Sequence, residues 1–208
     1  KNVKSCTNFN IVVGINILEY FKPSIWVDIS SGWGDRLAAA ICYNILNKDK
    51  LKLYYGTDPN IKLKKYYKQI INNLCKPSEI HKYKIIHDGF LETDHTHLYN
   101  KCDLVFSSPP FFNIEIYSNN KNDSYTKNDT SYKWINNFLL PVVEKSYTLL
   151  NTNGHLVLYI EDREEFSYIE IMINYAIKIG FKKLNSIFYK YSDLNTRREL
   201  FVFKKTSD

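Results

Sequence analysis

The sequence predicts an α/β fold, a mostly parallel sheet with helices on both faces and a C-terminal antiparallel strand pair. Three observations predict it. Short apolar runs alternate with longer stretches of helical periodicity along most of the chain. Acids stand just beyond three of the apolar runs, at Asp28, Asp58 and Asp88. The last two strand-like segments, "KKLNSIFYKY" and "RELFVFKK", have no helix between them.

The elements follow in order. Ile11, Ile15 and Leu18 recur at helical spacing, with Thr7 or Asn8 as the expected cap and Pro23 as the stop. "SIWVDI" is a buried strand. "DRLAAAICYNIL" is a helix with Leu37, Ile41 and Ile45 on its inner face. "LKLYYGTDP" is a second strand, the lysine-tyrosine stretch after it a helix, and "YKIIHDGF" a third strand. "KCDLVFSSPPFF" is a fourth strand, broken at Pro109 and Pro110. Ile135, Phe138, Leu139, Val142 and Val143 mark a helix that Pro141 must start or kink. "GHLVLYIED" makes a fifth strand, and the next helix closes at Gly180.

Bulk properties bound the function. The 208 residues suffice for a single domain with its own core. No stretch approaches the roughly 18 consecutive apolar residues of a membrane span, and the opening "KNVKSCTNFN" lacks the apolar core of a signal peptide. No membrane partner is expected, and an intracellular location, cytoplasmic or nuclear, is. Cys6, Cys42, Cys75 and Cys102 are scattered without metal-ligand spacing, which argues against a zinc site or a disulfide framework. The chain does not open on Met, as expected of an excised domain or of a processed chain. A net charge of +6 permits an anionic partner, but the lysines of "KLKKYYK" (62–68) read as a solvated helix face.

The loop "DISSGWGDR" carries two of only seven glycines, Gly32 and Gly34, at a strand-to-helix turn. Glycine there lets the backbone approach a ligand without an intervening Cβ. A nicotinamide fingerprint would need a third glycine where Leu37 stands.

With the acids and the Ser-Pro-Pro-Phe turn at 108–111, the chain resembles the class I S-adenosylmethionine-dependent methyltransferases. It is most similar to those that methylate exocyclic amines of nucleobases. The resemblance implies a Rossmann-like, seven-stranded sheet and S-adenosylmethionine as cofactor. It assigns Asp28, Ser30, Ser31, Gly32, Trp33 and Gly34 to the turn that cradles the methionine part, Asp58 to the ribose hydroxyls, and Asp88, Gly89 and Phe90 to the adenine. Ser108, Pro109, Pro110 and Phe111 are then catalytic. Phe111, Phe112 and Tyr117 meet the target base, and the polar loop "NNKNDSYTKNDTS" closes over it.

The implied substrate is DNA or RNA, modified at adenine N6 or cytosine N4; Ser108 in place of Asp leaves the base open. Sequence recognition would come from the loop, an additional domain, a partner subunit or RNA shape. Two other readings stand beside it: a protein amide methyltransferase, whose relatives carry Asn-Pro-Pro-Tyr at this position, and a catalytically inactive binding subunit.

Overall fold

The computed structural model describes residues 9–48, 50–112, 127, 128, 130–162, 167–190 and 197–207. Helix α1 (Ile11–Phe21) leads into strand β1 (Ile25–Asp28). Its cap is Asn10, whose side chain accepts from Val12 N at 2.9 Å; the expected caps Thr7 and Asn8 lie outside the described residues. Lys22 ends the helix in the left-handed region, just before Pro23. The inner face is Gly14, Ile17 and Leu18, while Ile11 is exposed. Gly14 allows α1 to approach α2 (Asp35–Asn47) closely, since a Cβ there would sit 2.7 Å from the Ala39 methyl.

Helix α2 buries Leu37, Ala39, Ala40, Ile41 and Tyr43, together with Arg36 and Asn44. Ile45 is 62% exposed, so the expected inner face turns outward at its end. Strand β2 (Leu53–Thr57) and helix α3 (Lys64–Leu74) follow, then β3 (Tyr83–Ile86) and β4 (Cys102–Ser107). Along α3 only Tyr67 is buried, so the lysines are a solvated face.

The chain is helical again in α4 (Ser131–Trp134) and α5 (Leu140–Leu149), joined by a π-helical segment, Ile135–Leu139. Pro141 has no N–H for the carbonyl four residues back, and the widened turn before it accommodates that missing bond. The proline is the second residue of α5, in its first turn, so it stands at the start of that helix as expected. Strand β5 (Leu150–Tyr159), helix α6 (Ile169–Lys178) and strands β6 (Phe181–Lys183), β7 (Ile187–Lys190) and β8 (Arg197–Lys205) complete the order.

The strands form one sheet in the order β3-β2-β1-β4-β5-β8-β6, with β7 also on β8. Strands β1 to β5 are parallel to one another, and β8 runs against β5, β6 and β7. The expected sixth strand is interrupted: Lys183 faces Phe203 and Ile187 faces Leu200, so one side takes an extra residue. The seven-stranded plan therefore appears as eight strands among the described residues.

Strand order reverses between β1 and β4, which makes the crevice beyond their carboxyl ends the place where such sheets bind ligands. Beneath it Trp26 stacks on Phe106 at 5.6 Å, meets Tyr54 edge-on at 4.9 Å, and donates its indole N–H to the Phe106 carbonyl at 3.0 Å. Among the described residues no helix is long and apolar enough to cross a membrane.

Candidate active site at the carboxyl edge of the sheet

The glycine turn is held from below by one buried carboxylate. Asp28 ends β1 with no exposed surface. Its Oδ2 accepts from Arg36 Nε at 3.0 Å and from the Tyr54 hydroxyl at 2.7 Å. Its Oδ1 accepts from the Ser107 hydroxyl at 2.7 Å. Arg36 also donates to the Ser30 carbonyl. Burial is the largest influence on Arg36 and works against its charge, but Asp28, Tyr54 and Asp35 together outweigh it and raise the guanidinium pKa. A buried ion is tolerable only when paired and hydrogen-bonded, and both conditions are met here. Asp28 is thus the internal anchor of the turn.

The turn is then tied to its neighbours on both sides. Toward β2, Ser31 N donates to the Thr57 carbonyl at 2.9 Å and the Thr57 hydroxyl to the Ile29 carbonyl at 2.6 Å. Toward β4, Ser30 N donates to Ser107 Oγ at 3.2 Å and Ser30 Oγ to the Ser108 carbonyl at 3.0 Å. The glycine turn and the Ser-Pro-Pro-Phe turn are therefore one hydrogen-bonded unit.

The two loop glycines are required for different reasons. Gly32 has φ +56°, and a Cβ on it would face open space, 4.0 Å from the nearest atom outside its chain neighbours, the Ser30 carbonyl oxygen. That is the vacant approach expected of a ligand cradle. Gly34 has φ +93°, but its Cβ would lie 2.6 Å from Ile70 of α3, so it serves helix packing. Trp33 between them is 53% exposed.

Asp58 follows β2 and is 7% exposed. Its carboxylate accepts Gly32 N at 2.8 Å and Asn60 N at 2.9 Å. Burial raises its pKa to about 6, against the lowering effect of those two amides. Tyr67 of α3 donates to the Gly32 carbonyl at 2.6 Å; burial and the Asp58 charge keep its phenol protonated. Asp88 is half-buried beyond β3, its Oδ1 accepting Gly89 N at 2.8 Å.

Other expected residues are placed differently. The Phe90 ring is buried against His95, 4.9 Å between centroids, with the Lys145 ammonium 5.3 Å from its face, so its side chain is part of the core. Phe111 is also buried and stands edge-to-face against Tyr159 at 5.5 Å, forming a wall and no open stacking face. Phe112 packs on Trp134 at 6.1 Å. Ser108 is half-buried and Pro109 buried. Tyr117 and most of the polar loop lie outside the described residues. The loop's end is anchored: Asn128 is buried and accepts from Asn137, and Thr130 caps α4.

Sequence reasoning missed Arg36, Tyr54, Gly56, Tyr67 and Ser107. Gly56 carried a signal, since an isolated glycine in a strand marks a close approach. A Cβ there would sit 2.2 Å from Ser31 Oγ and 3.2 Å from the Tyr54 hydroxyl.

No family profile matches the sequence, and none of the curated proteins is similar to it in sequence. Solved structures are similar in fold. A protein from Listeria monocytogenes assigned to the class I S-adenosylmethionine-dependent methyltransferases superposes with a TM-score of 0.63 at 14% identity, over 95% of this chain and 59% of that one. An rRNA methylase from Streptococcus thermophilus gives 0.58 at 18%, over 98% and 100%. The chain has the class I methyltransferase fold. A third example is the 1,6-didemethyltoxoflavin-N1-methyltransferase of Burkholderia thailandensis, solved with 1,6-didemethyltoxoflavin and S-adenosylhomocysteine bound: TM-score 0.57, 12% identity, 95% and 78% coverage. Within the methyltransferase fold, the loops beyond β1, β2 and β4 described above occupy the ligand-binding edge.

Proposed function

We propose that this chain is an S-adenosylmethionine-dependent N-methyltransferase acting on the exocyclic amine of adenine or cytosine in DNA or RNA. The observation that carries the reading is the bond from Ser30 Oγ to the Ser108 carbonyl, which joins the glycine turn to Ser-Pro-Pro-Phe at the switch point. The residues present fit the cofactor. Gly32 leaves its approach open, and Asp58 keeps lone pairs for two hydroxyls after accepting two amides. Gly32 and Asp58 would hold it, with Asp88 at its far end and Trp33 over the turn.

When bound, S-adenosylmethionine supplies an electrophilic methyl group on its sulfonium. The protein's task is then to place an amine nitrogen in line and exclude water. The Ser108 hydroxyl and the Pro109 carbonyl accept the two amine N–H groups, drawing the nitrogen lone pair out of conjugation with the ring. Methylation would leave a surplus proton on the amine nitrogen, which the Ser108 hydroxyl and the Pro109 carbonyl, already accepting its N–H groups, would hold until it passes to solvent, so no strong base is needed. Consecutive prolines fix the carbonyl direction. Phe111 and Tyr159 supply the apolar wall beside Ser108.

The test is transfer of a labelled methyl group to single-stranded and duplex DNA, RNA and protein, with modified residues identified by mass. Label on N6-methyladenosine or N4-methylcytidine, ribo or deoxy, is expected. Label on protein amides would overturn the reading. Cofactor binding without any transfer would point to an absent partner subunit.

A further inference from the structure

The β7–β8 ribbon runs past the edge on which Ser108 lies. Ser107 pairs with Leu158, and the next residue of β5, Tyr159, pairs with Leu200. Beyond that point β5 ends, but β8 and β7 continue through three more residue pairs, to Lys190 facing Arg197. At about 3.4 Å per residue the overhang is about 10 Å. One face of the ribbon turns inward: Tyr189 lies 6.1 Å from Tyr159, and the Arg198 guanidinium lies 5.3 Å from the Tyr159 ring. Tyr159 in turn touches Phe111. The ribbon is thereby packed onto the wall of the proposed amine site.

The other face carries Phe188, Lys190 and Arg197, with Glu199 one step back, half-buried and close enough to counter part of the effect of burial on Lys183. Two features of it are unexplained by folding. Lys190 and Arg197 are exposed and directly opposite, a like-charge cross-strand pair that costs stability. Among the described residues no ion pair offsets either charge. The Arg197 guanidinium also sits over Phe188, its carbon 3.6 Å from the ring centroid, while Phe188 remains 45% exposed. A guanidinium held against a ring is restrained in orientation, and the exposure of Arg197 leaves its forked N–H donors accessible. A restrained guanidinium with a second cation beside it suits a phosphate chain with an unstacked base next to it.

We propose that Phe188, Lys190 and Arg197 form a docking platform for single-stranded nucleic acid, seating nucleotides that flank the one whose amine enters the Ser108 site. This rests on the nucleic-acid reading of that site, and the experiment separates the two. Fluorescence anisotropy is measured on the full chain with labelled single-stranded oligoribonucleotides and oligodeoxyribonucleotides over a range of salt. Wild type is compared with Arg197→Ala, Arg197→Lys and Phe188→Ala, with S-adenosylmethionine affinity as the fold control.

Arg197→Ala should weaken binding about tenfold and lower the salt slope by about 0.7 for one lost phosphate contact. Arg197→Lys should restore the slope without the full affinity, because a lysine keeps the charge and loses the plane. Cofactor affinity should not move. Unchanged oligonucleotide affinity and KM in all three variants, with base methylation intact, would overturn the platform and leave the activity standing. Arg197-dependent binding without methyl transfer to any base would do the reverse. Binding of an acidic peptide in place of both oligonucleotides would overturn the platform.

Discussion

The loop beyond β1 and the loop beyond β4 meet at one edge but are built from different forces. The first rests on a buried carboxylate with three side-chain donors, one of them a buried arginine. The second leaves its strand through two prolines and is walled by aromatic edges, Phe111 on Tyr159 and Phe112 on Trp134. Directional bonds among buried charges allow one geometry, because any other leaves an ion unpaired. Aromatic edge contacts are adaptable by comparison. The contrast assigns rigidity to the side that would grip a constant cofactor and tolerance to the side that would admit a target base.

The largest effect should come from breaking the rigid side. Arg36→Ala leaves Asp28 buried and unpaired, and about 3–5 kcal/mol of stability should be lost in denaturant unfolding. A loss under about 1 kcal/mol would mean that water or a rearranged Tyr54 replaces the arginine. Next is Ser108→Ala, which removes one acceptor from the adaptable side. Methyl transfer should fall by about a hundredfold or more, with cofactor affinity and melting temperature unchanged. Gly34→Ala puts a Cβ against Ile70 at a left-handed position and should cost about 1–3 kcal/mol. Its smaller methyl-transfer defect would be matched by weaker cofactor binding.

A pH titration sharpens the same contrast. Burial raises the Asp58 pKa to about 6, and in the proposed role accepting two ribose hydroxyls beside two amides takes all four carboxylate lone pairs, which only the ionised form offers. S-adenosylmethionine affinity should be flat above about pH 7 and fall as pH drops through about 6. Asp58→Asn should be weak and flat across that range. The smallest effect is expected from Trp33→Ala, within about 0.5 kcal/mol in stability because the side chain is exposed; calorimetry would read whether the indole covers the cofactor.

The order of elements was legible because helix and strand periods are local, and so were the strand-end positions of Asp58, Gly32 and Ser108. The hub was not. Asp28 meets Ser107 across 79 positions of sequence and Tyr54 across 26, contacts that exist only once the β1–β2 and β1–β4 registers are set. Arg36 is not part of the apolar spacing of α2, yet it points inward because the Asp28 carboxylate pairs with it there. Local pattern likewise gave no warning that Ile45 faces outward or that the strand beside β8 carries an extra residue. Phe90 and Phe111 are expected at the ligand because aromatic residues serve both as walls and as stacking faces; their packing against His95 and Tyr159 depends on distant segments that local pattern does not reveal.

In the proposed reading, cofactor grip and amine positioning lie on separate loops. Its most direct test is calorimetric titration of S-adenosylmethionine into wild type, Asp58→Asn and Ser108→Ala at pH 7.5, with methyl transfer measured on the same samples. The account predicts weakened binding in Asp58→Asn alone, and normal binding without turnover in Ser108→Ala. Equal loss of cofactor affinity in both variants, or full turnover in Ser108→Ala, would contradict it.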